Sequence, residues 1–423
     1  MKDTRLMPTK ADPALIRSIN ADLVLRLIRD AGPISRAEIA RRSCLSEPTV
    51  SDLVSSLVRR GLVREGEAGT SRGGRRPTML RFIPDAALAI GVDIDGETIH
   101  VGLVNLAGTI IRHAHQPIRG REVDKLSRTI SQTVKELVTP PIADRVTGIG
   151  IAVPGVVRPE SHVVSQAPSL GWENAEIVDP MKAATGLPVC IENRANAAAL
   201  GEFWRGVGEG RRDLVFITIR VGIGAGIVLN GRLYRGRSGA AGEIGYMVVD
   251  RSAAREEAGG FGPLEALASS WAMAERMRHG TPRKADRQRS LGKRWTPTAI
   301  IQAAAAGNRR AARVVRETVE VLGLGIVNLA AVLNPDLVII GGSITEGDSR
   351  TLDRIRAIVR RLIPVPPQIV PSALGGKASL LGGAAQVFSD LYGLGVSFPS
   401  RLTLEEGDRG PAMPASGKLW ARC

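Results

Sequence analysis

Apolar residues near the start of the chain recur at helical spacing. In residues 14–31 the aliphatic side chains fall on one helical face, and Gly32-Pro33 ends that stretch. Ser35 and Glu38 have the spacing of a capping box, in which each side chain bonds the backbone of the other residue, and this predicts a short second helix. A third helix is predicted from Ser46 onward; its single apolar stripe consists of Val50, Leu53, Val54, Leu57 and Val58.

The opposite face of this third helix carries small polar side chains that can approach a groove closely. Two short helices joined by a tight turn, the second with such a face, are typical of a DNA-binding helix-turn-helix. Two short strands are predicted at 62–65 and 79–82, and the glycine-rich segment between them carries three arginines, as the wing of a winged helix does. The residues predicted to face DNA are Ser46, Thr49, Ser51, Asp52, Ser55, Arg59, Arg72, Arg75 and Arg76. The alternative is a helical protein-interaction module with a solvated arginine loop.

Charge favours the DNA-binding interpretation. Residues 1–82 contain 16 Lys and Arg against 9 Asp and Glu, whereas the other 341 residues contain 41 against 33. Basic charge concentrated in one segment indicates a polyphosphate partner, although a solvated basic surface would have the same composition. Three widely spaced cysteines and an N-terminus without an apolar run predict a cytoplasmic protein. The apolar stretch 322–340 is broken by Asn334-Pro335-Asp336, so we expect a buried helix, a turn and a buried strand, and no membrane partner.

From residue 87 onward the pattern changes to buried strands and turns. Strands are predicted at 89–94 and 98–104, and a turn at 106–109 leads into a third strand. A related strand-turn-strand pattern returns at 213–219 and 226–229. This repetition predicts a duplicated α/β fold with a cleft between its two halves.

Four segments, in order along the chain, resemble the ROK family (repressors, open reading frames, kinases). They are residues 148–155, 192–202, 239–245 and 334–342. The resemblance implies a two-lobed, duplicated ribonuclease H-like domain of the actin and hexokinase type at 87–393. Family repressors carry an additional N-terminal winged helix, which corresponds here to residues 1–82, while 394–423 is expected to be a flexible tail. The resemblance also implies a transcriptional regulator, most often a repressor, of carbohydrate uptake or catabolism genes, acting as a homodimer or homotetramer.

The sequence departs from the family kinases where the chemistry takes place. Those kinases have Glu-Asn-Asp, with the aspartate as general base, where this chain has Glu192-Asn193-Arg194. A guanidinium remains protonated and cannot accept the proton of the sugar hydroxyl. The first phosphate loop reads Asp93-Ile94-Asp95-Gly96-Glu97, with two additional carboxylates, and the second, Arg220-Val221-Gly222-Ile223-Gly224, has lost a hydroxyl. We therefore expect no kinase activity; an active carbohydrate kinase with an accessory DNA-binding domain is the alternative.

Family members often bind zinc through a histidine and three cysteines. The corresponding positions here hold Tyr246, Glu256, Ala258 and Pro263, which supply no thiolate or imidazole. We expect no structural zinc and no cofactor.

Several family sugar contacts are retained. The resemblance implies that Asn193, Glu243 and Glu265 match family contacts, whereas Ser169 replaces an asparagine and Tyr246 a histidine. With Arg194, these residues are the candidate ligand contacts. Alternatively, the two glutamates only satisfy backbone donors and cap helices. Arg194 is expected either to bind an anionic sugar derivative or to form an internal ion pair with Glu192 or Glu243. A sugar that closes the cleft is expected to alter the spacing of the two winged helices in a dimer. The helix at 314–333 is expected to pack near the dimer interface or the hinge, or to belong entirely to the core.

Overall fold

The N-terminal region folds as a winged helix. The structure is a computed structural model that describes residues 13–68, 76–250, 261–279, 295–345 and 349–392. Its first elements are α1 (Pro13–Ala31), β1 (Ile34–Ser35), α2 (Arg36–Ser43), α3 (Glu47–Arg59), β2 (Val63–Ala68) and β3 (Thr78–Phe82). The three strands form an antiparallel sheet in the order β1-β3-β2, in which β1 is a strand that the sequence pattern did not predict.

Side-chain caps define where the helices of the helix-turn-helix begin. The Ser46 hydroxyl accepts from the Thr49 N–H at the start of α3, and the Ser35 hydroxyl accepts from the Glu38 N–H at the start of α2. The Glu38 carboxylate, which the predicted capping box would bond to the Ser35 N–H, accepts from the side chain of Arg41 and, at 2.6 Å, from that of Arg42. The predicted apolar stripe of α3 is confirmed. Val50, Leu53, Val54 and Leu57 are buried in the core.

The first lobe is a five-stranded sheet covered by helices. Its elements, including a small sheet β8 to β10, are β4 (Leu88–Ile94), β5 (Thr98–Asn105), β6 (Ile110–Pro117), α4 (Val123–Leu137), α5 (Pro140–Ala143), β7 (Val146–Val153), β8 (Val156–Val157), β9 (Val164–Ala167), β10 (Trp172–Ala175), α6 (Val178–Thr185), β11 (Val189–Asn193) and α7 (Arg194–Arg205). The large sheet has the order β6-β5-β4-β7-β11; β4 to β6 are antiparallel neighbours, and β7 and β11 add in parallel.

The second lobe repeats this topology. Its elements are β12 (Leu214–Ile219), β13 (Ile223–Leu229), β14 (Arg232–Leu233), α8 (Pro263–Ala268), α9 (Ser270–His279), α10 (Pro297–Ala305), α11 (Arg309–Leu333), β15 (Leu337–Gly341), α12 (Ser349–Leu362), β16 (Gln368–Pro371) and α13 (Ala378–Tyr392). The order β14-β13-β12-β15-β16 has the same pattern of antiparallel and parallel neighbours as the first sheet. The predicted duplication is therefore present in the strand pairing.

Helix α13 returns from the second lobe and packs against α7 and the first sheet. Glycines allow this close approach: a Cβ at Gly150 would collide with the carbonyl of Gly383, and a Cβ at Gly201 would collide with the carbonyl of Ala378. Because Gly150 and Gly201 cannot accommodate a side chain at these contacts, α7, α13 and the sheet form one tightly packed unit.

The winged helix and the first lobe share a single apolar core. Val24 and Ile28 of α1 belong to the same buried cluster as Leu106, which follows β5, and Phe388 of α13. Trp204, near the end of α7, packs against this cluster from the lobe side. An ion pair of 3.0 Å between Arg29 and Glu209 also joins the two parts. The winged helix is thus docked on the lobe by both apolar and charged contacts.

Helix α11 and the strand after it confirm the prediction made for 322–340. The helix ends at Leu333, Asn334 adopts a left-handed conformation with φ of 44°, and β15 follows. Along the described residues, no helix combines the length and the apolar character that crossing a bilayer requires. One face of α11 is buried, yet Leu324 and Val332 are exposed, so this helix is not purely core.

One other predicted segment falls outside the described residues. The expected tail at 394–423 lies wholly outside the described part.

Candidate functional site

An arginine–carboxylate pair lies where β4 and β11 end at the cleft. Arg194 is the first residue of α7, and its Nε and Nη2 atoms donate to the two carboxylate oxygens of Asp93 at 2.6 and 2.9 Å. Asp93 is 1% exposed and the Arg194 side chain 13%. The expected internal ion pair is present, but the predicted partners Glu192 and Glu243 were wrong, because the parallel strands β4 and β7 bring Asp93 beside α7.

The surroundings of Arg194 keep its guanidinium charged. Burial alone would lower its pKa, but the charge and hydrogen bonds of Asp93, together with the charge of Asp95, outweigh burial and raise the pKa above its ordinary value. A group that holds its proton this firmly cannot serve as the general base of phosphoryl transfer.

Glu192 has its own set of partners. Its Oε1 atom accepts from the Asn193 N–H at 2.8 Å and from the Asn196 side chain at 2.9 Å. Its Oε2 atom accepts from the Arg235 Nε at 2.7 Å. Because Arg235 follows β14 of the second lobe, this buried carboxylate joins the two lobes at the rim of the cleft.

A second ion pair crosses the cleft between the two former phosphate loops. Arg220, at the turn between β12 and β13, lies with its Nη1 atom 3.7 Å from the Oδ2 atom of Asp95. The Oδ1 atom of Asp95 accepts from the N–H groups of Glu97 and Thr98, at 3.0 and 2.7 Å, and so fixes the turn between β4 and β5. Guanidinium and carboxylate therefore face each other where the resemblance places nucleotide phosphates.

Asn193 is the N-cap of α7. Its Oδ1 atom accepts from the N–H groups of Ala195 and Asn196, at 2.7 and 3.1 Å, and its Nδ2 donates to the carbonyl of Gly155 at 2.6 Å. Both the oxygen and the nitrogen of the Asn193 amide are thus bonded within the protein, and these bonds alone explain why an asparagine occupies this position. Ser169 lies beside the first loop, since a Cβ at Gly96 would be 3.7 Å from the Ser169 Oγ.

The three remaining predicted ligand residues lie on the second lobe. Glu265 is 8% exposed and accepts from the Ile223 N–H at 2.8 Å and the Gly262 N–H at 3.1 Å, so it caps α8 and holds the second loop. This geometry fits the interpretation in which that glutamate satisfies backbone donors. Glu243 is half-buried just before the short turn Ile244–Tyr246, and Tyr246 is 53% exposed.

The zinc positions of the family hold no tetrahedral set in the described part. Tyr246 is exposed and Pro263 opens α8, while 256 and 258 lie outside the described residues. No three His, Cys, Asp or Glu side chains within the described ranges are arranged to hold a metal ion.

The outer face of α3 is open to solvent. Ser46, Ser51, Asp52 and Arg59 are exposed, and Thr49 and Ser55 are half-buried. Ser46 and Thr49 share a hydroxyl–hydroxyl bond of 2.8 Å, and the Ser55 hydroxyl donates to the Ser51 carbonyl at 2.8 Å. Arg76 is exposed beside β3, whereas Arg72 and Arg75 lie outside the described residues.

Sequence reasoning missed Arg17 at this surface. Its Nη2 atom lies 2.9 Å from Asp52, and both side chains are more than half exposed. The pair brings a cation from α1 to the exposed face of α3 and neutralises the carboxylate there. Because the two residues are 35 positions apart, no local pattern indicated this contact; an exposed basic residue on α1 was the only signal.

The sequence matches two family models. The MarR family model covers residues 19–65, and the ROK family model covers residues 89–390. The xylose repressor of Caldicellulosiruptor bescii is 34% identical over 398 residues, covering 91% of this chain and 98% of that protein. The DNA-binding transcriptional dual regulator NagC of Escherichia coli is 28% identical over 347 residues, covering 82% of this chain and 85% of NagC.

Solved structures agree with this assignment. A ROK family transcriptional regulator, homolog of the E. coli MLC protein, superposes with a TM-score of 0.75 at 28% identity, covering 90% of this chain and 98% of its own. A ROK family glucokinase from Streptomyces griseus in complex with glucose and AMPPNP superposes with a TM-score of 0.58 at 30% identity, covering 71% of this chain and 99% of its own. The chain belongs to the ROK family, with a MarR-type winged helix at its N-terminus.

Proposed function

We propose that this protein is a DNA-binding repressor of carbohydrate uptake or catabolism genes that responds to a sugar in a catalytically inactive, kinase-like cleft. One observation carries the proposal: a charged arginine, bound in bidentate fashion by Asp93, stands where phosphoryl transfer requires a proton acceptor. The relatives named as repressors of xylose and N-acetylglucosamine support it, because the similarity covers 91% and 82% of this chain.

The DNA-binding surface consists of the exposed face of α3 with the basic side chains around it. We assign groove contacts to the small polar residues of α3, whose size allows the helix to lie deep in a major groove. Arg59, Arg76 and Arg17 flank that face and are suited to backbone phosphates, since Arg17 is exposed and keeps donors beyond the one that binds Asp52. Arg72 and Arg75 would extend the contact into the wing.

The domain limits of the proposal are 1–82 for the winged helix, 87–393 for the ROK domain and 394–423 for a tail. We place the protein in the cytoplasm as a homodimer or homotetramer, because a symmetric oligomer positions two winged helices on two half-sites. The exposed Leu324 and Val332 make the surface of α11 the candidate interface.

Helix α7 provides a direct connection between the cleft and the winged helix. Its 12 residues span about 18 Å; the first, Arg194, binds Asp93 in the cleft. At the other end Trp204 packs against the core that contains α1, and Arg205 is ion-paired at 3.2 Å with Glu209, which in turn binds Arg29 of α1. A sugar that changes the position of α7 would therefore change the position of the winged helix.

Burial at this junction is substantial. Burial, and then the nearby charge of Arg29, lower the pKa of Arg205 to about 10, so this guanidinium remains charged at neutral pH.

Within α7, the Glu202 carboxylate, which is fully buried, accepts from the Ser372 hydroxyl at 2.5 Å and the Leu374 N–H at 2.9 Å. These contacts fix α7 to the segment that leads from β16 to α13.

The proposal is tested by fluorescence anisotropy with DNA from upstream of the protein's own gene, with and without sugars, alongside an ATP-consumption assay. We expect nanomolar to tens-of-nanomolar binding, a change in affinity with at least one sugar, and no sugar-dependent ATP consumption. Arg59→Ala and Arg76→Ala should weaken binding, whereas Arg354→Ala, an exposed arginine on α12, serves as the matched control. Rapid phosphorylation of a hexose by a protein that ignores this DNA would contradict the proposal.

A further inference from the structure

Three of the five histidines in the chain lie together on the first lobe. His100 belongs to β5, and His113 and His115 belong to β6, the edge strand of the large sheet. Pairing of the strands places His100 opposite His115, and residues two apart on a strand share a face, so the three side chains lie on the same side of the sheet. Their ring centroids are 5.6, 6.1 and 6.4 Å apart. The proposed function makes no use of this histidine cluster.

The histidine cluster extends from solvent to the cleft. His113 and His115 are exposed, and the His100 side chain is 34% exposed. The Nε2 atom of His100 lies 4.0 Å from the Oδ2 atom of Asp95. Arg220 of the second lobe approaches the same oxygen, with its Nη1 atom at 3.7 Å. One carboxylate oxygen of the first lobe thus lies between an imidazole of the same lobe and a guanidinium of the other lobe.

The two carboxylates beside the histidine cluster already have cationic partners. Helix α13 covers this face of the sheet, since a Cβ at Gly102 would lie 2.9 Å from the Leu380 side chain, and residues 378–389 of that helix carry no charge. The charged groups nearby are Asp93 with its partner Arg194, Asp95 with Arg220, Lys377 just before α13, and exposed Glu97 and Arg119 at the strand ends. Each proton that the cluster takes up therefore adds net positive charge beside the cleft.

Protonation of the histidine cluster is opposed by its own members. Burial, and then the charges of His100, His115 and Lys377, lower the pKa of His113 below its ordinary value of 6.5. The folded chain therefore binds fewer protons than the unfolded chain in the range below pH 6.5. This group leaves stability unaffected well above pH 6.5, and stability decreases as the pH falls from 6.5 through the lowered pKa.

We propose that His100, His113 and His115 form a proton sensor that weakens the contact between the two lobes at mildly acidic pH. A protonated His100 competes with Arg220 for the shared oxygen of Asp95, and positive charge on the two β6 imidazoles adds to the repulsion of that guanidinium. Since the first lobe carries the winged helix, we also expect the effect of sugar on operator binding to depend on pH; this second part rests on the proposed function.

Thermal unfolding of the full chain tests the sensor without any ligand. Measurements at pH 7.5 and 5.5 and equal ionic strength compare the wild type with the double variant His113→Gln with His115→Gln, whose two positions are exposed. His162→Asn is the matched control, because His162 is exposed outside the cluster and its φ of 56° suits asparagine. Between the two pH values, we expect the Tm of the wild type and of the control to fall by about 2 °C or more beyond the fall in the double variant. Equal falls in all three proteins contradict the sensor.

Two further variants test the contact between the lobes. Arg220→Ala removes the cation with which His100 competes, and His100→Gln removes the competitor. Both variants should therefore show a smaller fall in Tm than the wild type when the pH is lowered. A fall in Arg220→Ala as large as that of the wild type means that protonation acts elsewhere, and it overturns the effect on the lobes.

Fluorescence anisotropy tests the consequence for regulation. Operator affinity would be measured at both pH values with and without D-xylose, D-glucose and N-acetylglucosamine. We expect the ratio of the affinities with and without sugar to change by about threefold or more between the two pH values in the wild type and in His162→Asn, and by less than about twofold in the double variant. A sugar effect that is equal at both pH values overturns the regulatory part and leaves the proposed function standing. If no DNA binds, or no sugar changes the affinity at either pH, the proposed function falls, and the unfolding measurements alone decide the sensor.

Discussion

Removing the Arg194 side chain should destabilise the protein far more than removing any exposed arginine. Arg194→Ala leaves Asp93, which is 1% exposed, without the two hydrogen bonds of 2.6 and 2.9 Å that compensate its charge. Breaking a buried pair from one side costs about 3–5 kcal/mol, whereas a surface substitution typically changes stability by less than about 0.5 kcal/mol. We therefore expect a loss of about 3–5 kcal/mol in the free energy of unfolding, measured by urea denaturation at pH 7.

Two comparisons separate this electrostatic cost from the loss of packing. Arg235→Ala should cost less, because Glu192 keeps its bonds from Asn193 and Asn196 after Arg235 is removed. The double variant Asp93→Ala with Arg194→Ala should be more stable than Arg194→Ala alone, since no unpaired charge then remains. The reasoning is refuted if Arg194→Ala loses less than about 1 kcal/mol in the free energy of unfolding and the double variant loses the sum of the two single variants. The Asp93–Arg194 pair would then contribute no stability, and the guanidinium would be available to anionic ligands.

Three other predictions concern the winged helix and its attachment. Trp204→Ala should leave sugar and operator affinities within about threefold of wild type but reduce the effect of sugar on operator affinity, measured by anisotropy, because it loosens the contact between α7 and the α1 core; unaltered coupling would exclude this route. Arg17→Ala should weaken operator binding and lower the salt dependence by about one counterion, and an unchanged slope would place Arg17 away from phosphate. Burial raises the pKa of Asp22 from its ordinary 3.8 to about 6 against the opposing Arg26. Ionisation of this side chain therefore costs stability in full above about pH 6, and the cost declines as the pH falls from 6 toward 3.8. Asp22→Asn should therefore raise the free energy of unfolding at pH 7.5 by up to about 3 kcal/mol and by much less at pH 4.5, and equal effects at both pH values would contradict it.

Local patterns were sufficient to predict the helices and two strands of the winged helix and the first strands of each lobe. The apolar stripe of α3 and the serine caps of α2 and α3 act within a few residues, so the sequence contains all of the information they need. The repeated strand-turn-strand pattern predicted the duplication for the same reason, because each lobe forms its own sheet. Strand β1 was missed, since two residues carry no periodicity and its pairing with β3 is formed across more than forty positions.

The site was less predictable because its contacts join distant parts of the chain. Arg194 alone was enough to predict that the general base is missing. The ion-pair partner of Arg194 could not be predicted, because Asp93 is 101 positions away and was assigned to a phosphate loop. Asn193 and Glu265, which are predicted as ligand contacts, also bind backbone groups of Gly155, Ile223 and others, and the sequence did not indicate these partners. Such bonds depend on where loops meet, which a single sequence does not encode in any local pattern.

Arg194, at a position where family kinases have an aspartate, changes how the charges of the cleft are balanced. A kinase that keeps two carboxylates at the positions of Asp93 and Arg194 holds like charges close together and depends on metal or substrate to offset their repulsion. Here the guanidinium neutralises Asp93 from within, and Arg220 does the same for Asp95 across the two lobes. Neither carboxylate therefore depends on a metal or a nucleotide for a partner. Under the proposed function, the free energy of binding a sugar acts on the placement of α7, whose far end packs against the core that contains α1.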